Sequence, residues 1–353
     1  MRRVRTGRVD SSMTHPTGST SGPGVVRVGL DAMGADFEPE AAVLAAGRAL
    51  DADSRLELCV FGDPDALDGA VSALPSGQRR RLAIEAAPEH VPMDLSPARA
   101  LRHGRDTSMA ATLASVADGR TAAAVSAGNT GALMALGRMT LGTLPGVERP
   151  ALMTAFPVRD GRAWVLDLGA NIGVDAERLL EFAVLGHAAV GVLLERSPVI
   201  GLLNIGREPT KGPDVVREAS RRLAGRSDLD YVGFVEGHDV FSGRADVVVC
   251  DGFAGNILLK SAEGAIAMLL EELAAEARRP VRGIGLRGCV ERLRERYDPA
   301  RHNGASLLGI NGIVIKSHAH ACVEGLANAI GLAALEVRQG LIPALERQLW
   351  ADA

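Results

Sequence analysis

From Val25 onward, short apolar runs alternate with amphipathic stretches. The segment VVRVGLDAMGAD (25–36) reads as a buried strand ending in an Asp/Gly loop, and EPEAAVLAAGRAL as the helix that follows. Further strand-like runs are LELCVFGD, RLAIEAAP, AAAVSAGN, ALMTAFPV, AWVLDLGAN, GLLNIG, YVGFVEG, ADVVVCDG and NGIVIKSH. Between most of them lie helix-length segments, among them ATLASVADG, DAERLLEFAVLGHAAV and PDVVREASRRLAG. This rhythm predicts an α/β protein with a largely parallel sheet covered by helices. Ligands of such sheets bind at the carboxyl ends of the strands, where the polar segments of this chain fall.

Residues 261–297 break the rhythm. AEGAIAMLLEELAAEARR predicts a strong helix, PVRGIG a turn, and RGCVERLRERYD a second helical segment, together a hairpin projecting from the body. Its tip mixes Arg278, Arg279, Arg282 and Arg287 with Val281, Ile284, Leu286 and Val290, a composition suited to an anionic membrane surface or to packing between subunits. Residues 1–24 are basic and polar without an apolar core, which predicts a disordered tail rather than a signal peptide. The remaining residues, 25–353, are expected to form one catalytic domain that includes the hairpin. No run approaches ~20 uninterrupted apolar residues, so no membrane-crossing helix is expected.

Composition narrows the chemistry. Aromatics are only 3% of a chain that is 47% hydrophobic, so the core must be built from Ala, Val, Leu and Ile. A net charge of -4 argues against nucleic acid as a partner. Cys59, Cys250, Cys289 and Cys322 form no CxxC pair, which suits a reducing cytoplasm and neither a disulfide framework nor a zinc site. Of 39 Lys and Arg residues only Lys211, Lys260 and Lys316 are lysine. Arginine is a planar fork and lysine a compact ammonium, so a chain that otherwise uses arginine keeps lysine where the fork does not fit. All three sit in segments dense in Gly, Asn, Asp or His, a pattern that points to an anion site.

Several loops carry candidate ligand groups. SAGNTGALMALGRM (126–139) leads a strand into a helix and offers Ser126, Gly128, Asn129 and Thr130 at the helix N-terminus. That arrangement binds anions, and the same Asn and Thr serve equally as helix caps. DLGANIGVD supplies Asp167 and Asn171, and CDGFAGN supplies Asp251, Gly252 and Asn256, each joining an Asp, glycines and an Asn before a helix. DAMGAD adds Asp31, Gly34 and Asp36, whose carboxylates are suited to capping, to acid/base work or to a metal. Cys250 ends an apolar strand and reads as inert core. His318 and His320 follow Lys316; without nearby Cys or carboxylates they read as acid/base or cationic groups rather than metal ligands, and His238 is a further loop histidine. GIGLRG (283–288) matches the dinucleotide pattern but follows a helix, so no cofactor is inferred from it. The P-loop, zincin and α/β-hydrolase signatures do not occur.

Taken in order, DAMGAD, RDTSMA, SAGNTGALMALGRM, TLPGVERPAL, DLGAN, GLLNIGREPTKG, FVEGHDVFSGRADVVVCDGFAGNILLK and GASLLGINGIVIKSHAHA resemble the bacterial phosphate acyltransferases, the PlsX family, from about residue 26 to 335. Two positions depart from the family's pattern: Ala35 replaces a glycine of the first motif, and Arg207 stands where an acid is usual, with Glu208 after it. The resemblance implies transfer of a fatty acyl group from acyl-acyl-carrier protein to inorganic phosphate, giving acyl phosphate for phospholipid synthesis. It implies the α/β/α fold of the isocitrate and isopropylmalate dehydrogenases, a homodimer, a hairpin linked to peripheral membrane association, and a product passed to a membrane glycerol-3-phosphate acyltransferase. No cofactor or metal is implied.

On this reading Lys316, His318, Asn256, Lys260 and Asn129 are the candidate catalytic residues. Asp31, Gly34, Ser126, Gly128, Thr130, Asp167, Asn171, Asn204, Lys211, Asp251 and Gly252 are the candidate substrate-binding ones. Lysines and loop amides would hold phosphate, Asn129, Asn171 and Asn256 would stabilise an oxyanion, and His318 or His238 would assist the leaving thiolate. Arg99, Arg102 and Arg105 are candidates for docking an acidic carrier protein. Two rival readings are a decarboxylating dehydrogenase on this fold and a membrane-surface scaffold working through the arginine-rich hairpin. For the first, neither an acidic metal cluster nor a cofactor loop stands out, and against the second the three polar loops argue.

Overall fold

Consecutive residues of the buried strands point to opposite faces of one sheet, and each face has its own core. Val247 and Val249 join one apolar cluster while Val248 joins the other, and Ile313 and Ile315 are divided from Val314 in the same way. A strand buried on both sides reads as an unbroken apolar run, which is why these segments were recognisable. The computed structural model describes residues 24–350 apart from 35, 37, 160, 280–285 and 300–302. The tail expected over residues 1–24 lies outside the described residues except for Gly24, as do Val281, Arg282 and Ile284 of the hairpin tip.

Eleven strands form one sheet. They are β1 (Val26–Asp31), β2 (Leu56–Gly62), β3 (Leu82–Ala86), β4 (Ala123–Ser126), β5 (Ala151–Val158), β6 (Gly161–Leu166), β7 (Val199–Leu203), β8 (Asp230–Val235), β9 (Val247–Val249), β10 (Ala305–Leu308) and β11 (Ile313–Lys316). Their order is β3-β2-β1-β4-β11-β10-β5-β6-β9-β7-β8. Helices cover both faces, giving the expected three-layer α/β/α architecture. Most neighbours are parallel, as expected, but β10 is antiparallel to both β11 and β5, and β5 is antiparallel to β6. The group β6, β9, β7 and β8 therefore runs opposite to β3, β2, β1, β4 and β11. The carboxyl ends of the strands therefore fall on both edges of a sheet that is still largely parallel.

The 26-residue helix Gly252–Ala277 departs from expectation. The sequence placed a helical segment after CDGFAGN and a separate projecting helix from Ala262; one continuous helix instead runs from Gly252, just after β9. Asp251 caps it, its carboxylate accepting from the Phe253 amide at 2.8 Å. The start is pressed so closely onto the loop after β6 that a Cβ on Gly255 would lie 1.9 Å from the Asp167 carbonyl oxygen. By length and composition this helix is apolar enough to cross a membrane, although its N-terminal half packs on the body of the protein. Beyond residues 280–285, a helix at Leu286–Tyr297 packs against it.

On the sheet face away from that helix, helix Val323–Arg338 buries Glu336, whose carboxylate accepts from Ser306 Oγ on β10. Burial raises its pKa from 4.5 to about 7. The native protein thus prefers the protonated acid, a preference fully satisfied below pH 4.5 and lost as pH rises toward about 7. Denaturant titrations across that window are expected to show Glu336→Gln gaining about 3 kcal/mol on the wild type. A constant difference between the two proteins would show that the carboxyl ionises freely.

Candidate functional site

A cavity of about 320 Å³ lies on the face of the central antiparallel strands, between β5 and the helix Gly252–Ala277. The opposed strand directions explain its position. Loops after β4 and β11 reach it from one half of the sheet, and the loop after β6 and the helix after β9 reach it from the other. The helix presents Asn256, Lys260 and Glu263 to the cavity, spaced i, i+4 and i+7 and so on one face. Leu259, Ala262 and Ile266 present an apolar row beside them.

Lys316 is the last residue of β11 and donates from Nζ to the Ala127 carbonyl at 3.2 Å and to that of Ser317. Burial lowers its pKa from 10.5 to about 8; Asp31 opposes the shift and the nearby charge of Lys260 adds to it. Lys260 Nζ donates to Glu263 Oε2 at 2.8 Å, and His318 Nε2 lies 3.1 Å from Glu263 Oε1. Burial alone would raise the pKa of Glu263, but its hydrogen bonds from His318 and Lys260 outweigh that and hold it below the usual value. Asn303 fixes the turn after Lys316: its Oδ1 accepts from the His318 amide at 3.0 Å, and its Nδ2 donates to Ser317 Oγ at 2.6 Å. Thr130 and Gly252, each the first residue of a helix, also line the cavity and bring two positive helix ends to it.

Of the residues singled out from sequence, Lys316, His318, Asn256, Lys260, Thr130 and Gly252 line the cavity. Two of the three lysines therefore meet there, while Lys211 is exposed elsewhere, its carbonyl accepting from Asn204 Nδ2 at 3.0 Å. Asn204 is tied to that loop and does not line the cavity.

The other candidates build the walls. Asn129 accepts from the Ala132 amide at 3.0 Å and donates to the carbonyls of Met93 and Leu95, both at 2.8 Å, so its amide is committed to capping and to an adjacent loop. Asp31 is buried under Lys316, with Ser108 and Ser126 each donating to it at 2.6 Å; burial raises its pKa against the effect of those bonds. Gly34 and Gly128 let two backbones approach, a Cβ on Gly34 standing 3.1 Å from Gly128 Cα. Asp167 is buried and accepts from the amides of Leu152, Leu168, Ala170 and Asn171. The Asn171 side chain donates to Asp167 and to the Pro150 carbonyl. Asp251 caps its helix and accepts from the amides of Gly173 and Val174. These carboxylates have their oxygens filled by the protein itself, which is why they shape the site without lining it.

Burial pushes the Cys250 thiol well above its usual range, consistent with inert core. Glu236, His238 and Asp239 bring potential ligand atoms within 4.8 Å of one another, but Asp239 already accepts both an Arg207 Nε bond of 3.1 Å and a second Arg207 bond. The unusual Arg207 thus has a local carboxylate partner. Sequence reading missed Glu263 and Asn303. The first is legible afterwards as Lys-x-x-Glu spacing on a helix; the second has no local signal.

The family model for "Fatty acid synthesis protein" matches residues 26–343. A phosphate acyltransferase of Pseudomonas putida (strain F1) is 48% identical over 328 residues, covering 91% of this chain and 97% of that protein. Another from Pseudomonas aeruginosa (strain PAO1) is 45% identical over 327 residues, covering 91% and 97%. Among solved structures, a phosphotransacetylase from Streptococcus pyogenes superposes with a TM-score of 0.59 at 19% identity, covering 89% of this chain and 94% of that one. The EutD phosphotransacetylase from Staphylococcus aureus gives 0.58 at 18% identity over the same shares. These structural likenesses bear on the fold.

With only three lysines, their titration is directly observable. In protein carrying ¹³C at the lysine ε-carbon, one resonance is expected to titrate near pH 8 and to vanish in Lys316→Arg. Three resonances all titrating above pH 10 would overturn the account of Lys316.

Proposed function

The chain belongs to the fatty acid synthesis protein family, and from that premise we infer that it is an acyltransferase moving a fatty acyl group onto inorganic phosphate. One observation carries the reading. Two scarce lysines, an asparagine and two helix N-termini converge on a cavity whose other flank is apolar. The polar flank suits an oxyanion, and the apolar flank suits a fatty acyl thioester.

We propose that the donor is acyl-acyl-carrier protein and the product acyl phosphate. Phosphate, with a second pKa of roughly 6–7, is already partly dianionic near neutral pH and needs positioning more than deprotonation. Lys316, Lys260 and the helix ends hold it. One of its oxygens attacks the thioester carbonyl carbon, and the carbonyl oxygen takes up the negative charge. The Asn256 amide donates to that oxyanion. Collapse restores the carbonyl, breaks the carbon–sulfur bond and expels the pantetheine thiolate. A thiol pKa near ~8.5 makes it a good leaving group. His318, oriented by Glu263, supplies the proton that leaves it as the free thiol.

The carrier docks on Arg99, Arg102 and Arg105, which are exposed on or just beyond the helix Pro97–His103. That helix adjoins the cavity rim: a Cβ on Gly131, next to Thr130, would lie 2.8 Å from Pro97 Cγ. The active species is a homodimer. The outer part of the helix Gly252–Ala277, with Met268 65% and Leu269 58% exposed, and the arginine-rich helix after it rest on the cytoplasmic membrane surface. From there the product passes to a membrane glycerol-3-phosphate acyltransferase.

Purified protein incubated with phosphate and acyl-carrier-protein thioester is expected to yield acyl phosphate trapped by hydroxylamine as the hydroxamate. Lys316→Ala and Asn256→Ala are each expected to lower turnover about 10²–10³-fold. No hydroxamate from the wild type rules out the activity, and near-full turnover in both variants rules out the assigned roles. Reversing the charge of Arg99, Arg102 and Arg105 together is expected to raise KM for the carrier-protein donor and leave a small acyl thioester unaffected. An unchanged KM would remove them as the docking surface.

A further inference from the structure

Aromatic side chains are scarce here: seven Phe, two Tyr and two Trp in 353 residues. Four of these eleven, Phe156, Phe241, Phe253 and Tyr297, line the cavity described above. Phe61, Trp164, Phe182 and Phe234 are buried elsewhere in a core built mainly of Ala, Val and Leu, so four aromatics gathered on one cavity call for an explanation beyond packing. Phe156 and Phe241 form an edge-to-face pair, centroids 6.1 Å apart with planes at 62°, a mutually stabilising geometry that makes a rigid wall.

The pair stands away from the polar groups. Lys316 is on β11 and Phe156 on β5, with β10 between them. Two strand spacings put their backbones about 10 Å apart. On the helix side, Leu259, Ala262 and Ile266 occupy a face rotated about 90° from that of Asn256, Lys260 and Glu263. Phe156, Phe241, Leu259 and Ala262 belong to one apolar cluster, so the helix and strand walls of this flank are continuous. Its strand wall has no free hydrogen-bonding side chain, because Thr154 Oγ is spent on the Gly304 carbonyl at 2.8 Å.

Resting on the function proposed above, we propose that the acyl chain of the donor lies along this apolar flank and that Phe241, backed by Phe156, ends it and sets the chain length accepted. The occupant follows from desolvation. The pantetheine arm carries amides, and burying an amide unpaired between Phe156 and Leu259 is unfavourable because its lost hydrogen bonds to water are not replaced. An acyl chain has no such groups, and each methylene buried adds to its binding. With the chain on this flank, the thioester carbonyl lies toward Asn256 and Lys316, and the pantetheine arm leaves by the polar mouth.

The expected behaviour is a shift in selectivity. In hydroxylamine-trapping assays with carrier-protein donors lengthened stepwise, Phe241→Ala is expected to move the optimum toward longer chains. The ratio of kcat/KM for a chain beyond the wild-type optimum to that for one at it should rise roughly tenfold. Phe241→Trp is expected to move the optimum toward shorter chains. Variants that turn over donors with the wild-type profile overturn the proposal while leaving the acyltransferase reading standing; a wild type inactive on every donor defeats that reading itself. Crystals of the unaltered protein grown with a long-chain acyl phosphonate test the same point without mutation. Chain density between Leu259 and Phe156 is expected, and a chain running out past Tyr297 would overturn the proposal.

Discussion

The structure turns on a buried carboxylate. Asp167 accepts from four backbone amides and the Asn171 side chain, and its own carbonyl oxygen faces Gly255 where no side chain would fit. Removing an ionisable group from water is costly unless its oxygens are saturated, and here the start of β5 and the loop after β6 are drawn together to saturate them. That clasp sets where the helix Gly252–Ala277 begins. Everything the helix offers to the cavity follows from that starting point: Asn256 one turn in, Lys260 a turn further, Glu263 the next.

The other half of the site is held by equally plain means. Asp31, filled by Ser108 and Ser126, lies under Lys316, and Asn303 ties down the turn carrying His318. The polar motifs are therefore divided in labour. Residues whose hydrogen bonds are complete within the protein form a rigid frame, and the few that project from that frame meet in the cavity. Such division is what preorganisation requires, since groups aimed at developing charge must not relax when it appears.

Much of the fold was legible because strands buried on both faces leave unbroken runs such as VVV and IVI, with glycine and asparagine at their ends. β10 escaped because Ala305–Leu308 is four residues long and lacks any β-branched side chain. Its antiparallel pairing, Ser306 with Met153, joins positions about 150 residues apart and leaves no local trace. That omission had consequences, because only β10 and β5 explain how loops from opposed halves of the sheet reach one cavity. The lysine bias drew attention to Lys260 and Lys316, both of which line the cavity. It did not distinguish Asp167, Asn171 and Asp251, whose motifs look like ligand loops but whose hydrogen bonds turn inward. Phe241 was overlooked beside His238 because a lone aromatic in a loop has no periodicity to announce it.

Lys316 sits in surroundings that make its positive charge conditional rather than permanent. A group with a pKa of about 8 is partly uncharged in mildly alkaline solution, and an anion arriving beside it favours the ammonium form. Occupation of the site is then accompanied by proton uptake from the medium. The heat of association measured calorimetrically would accordingly vary with the ionisation enthalpy of the buffer, and anion affinity becomes coupled to pH through this amine.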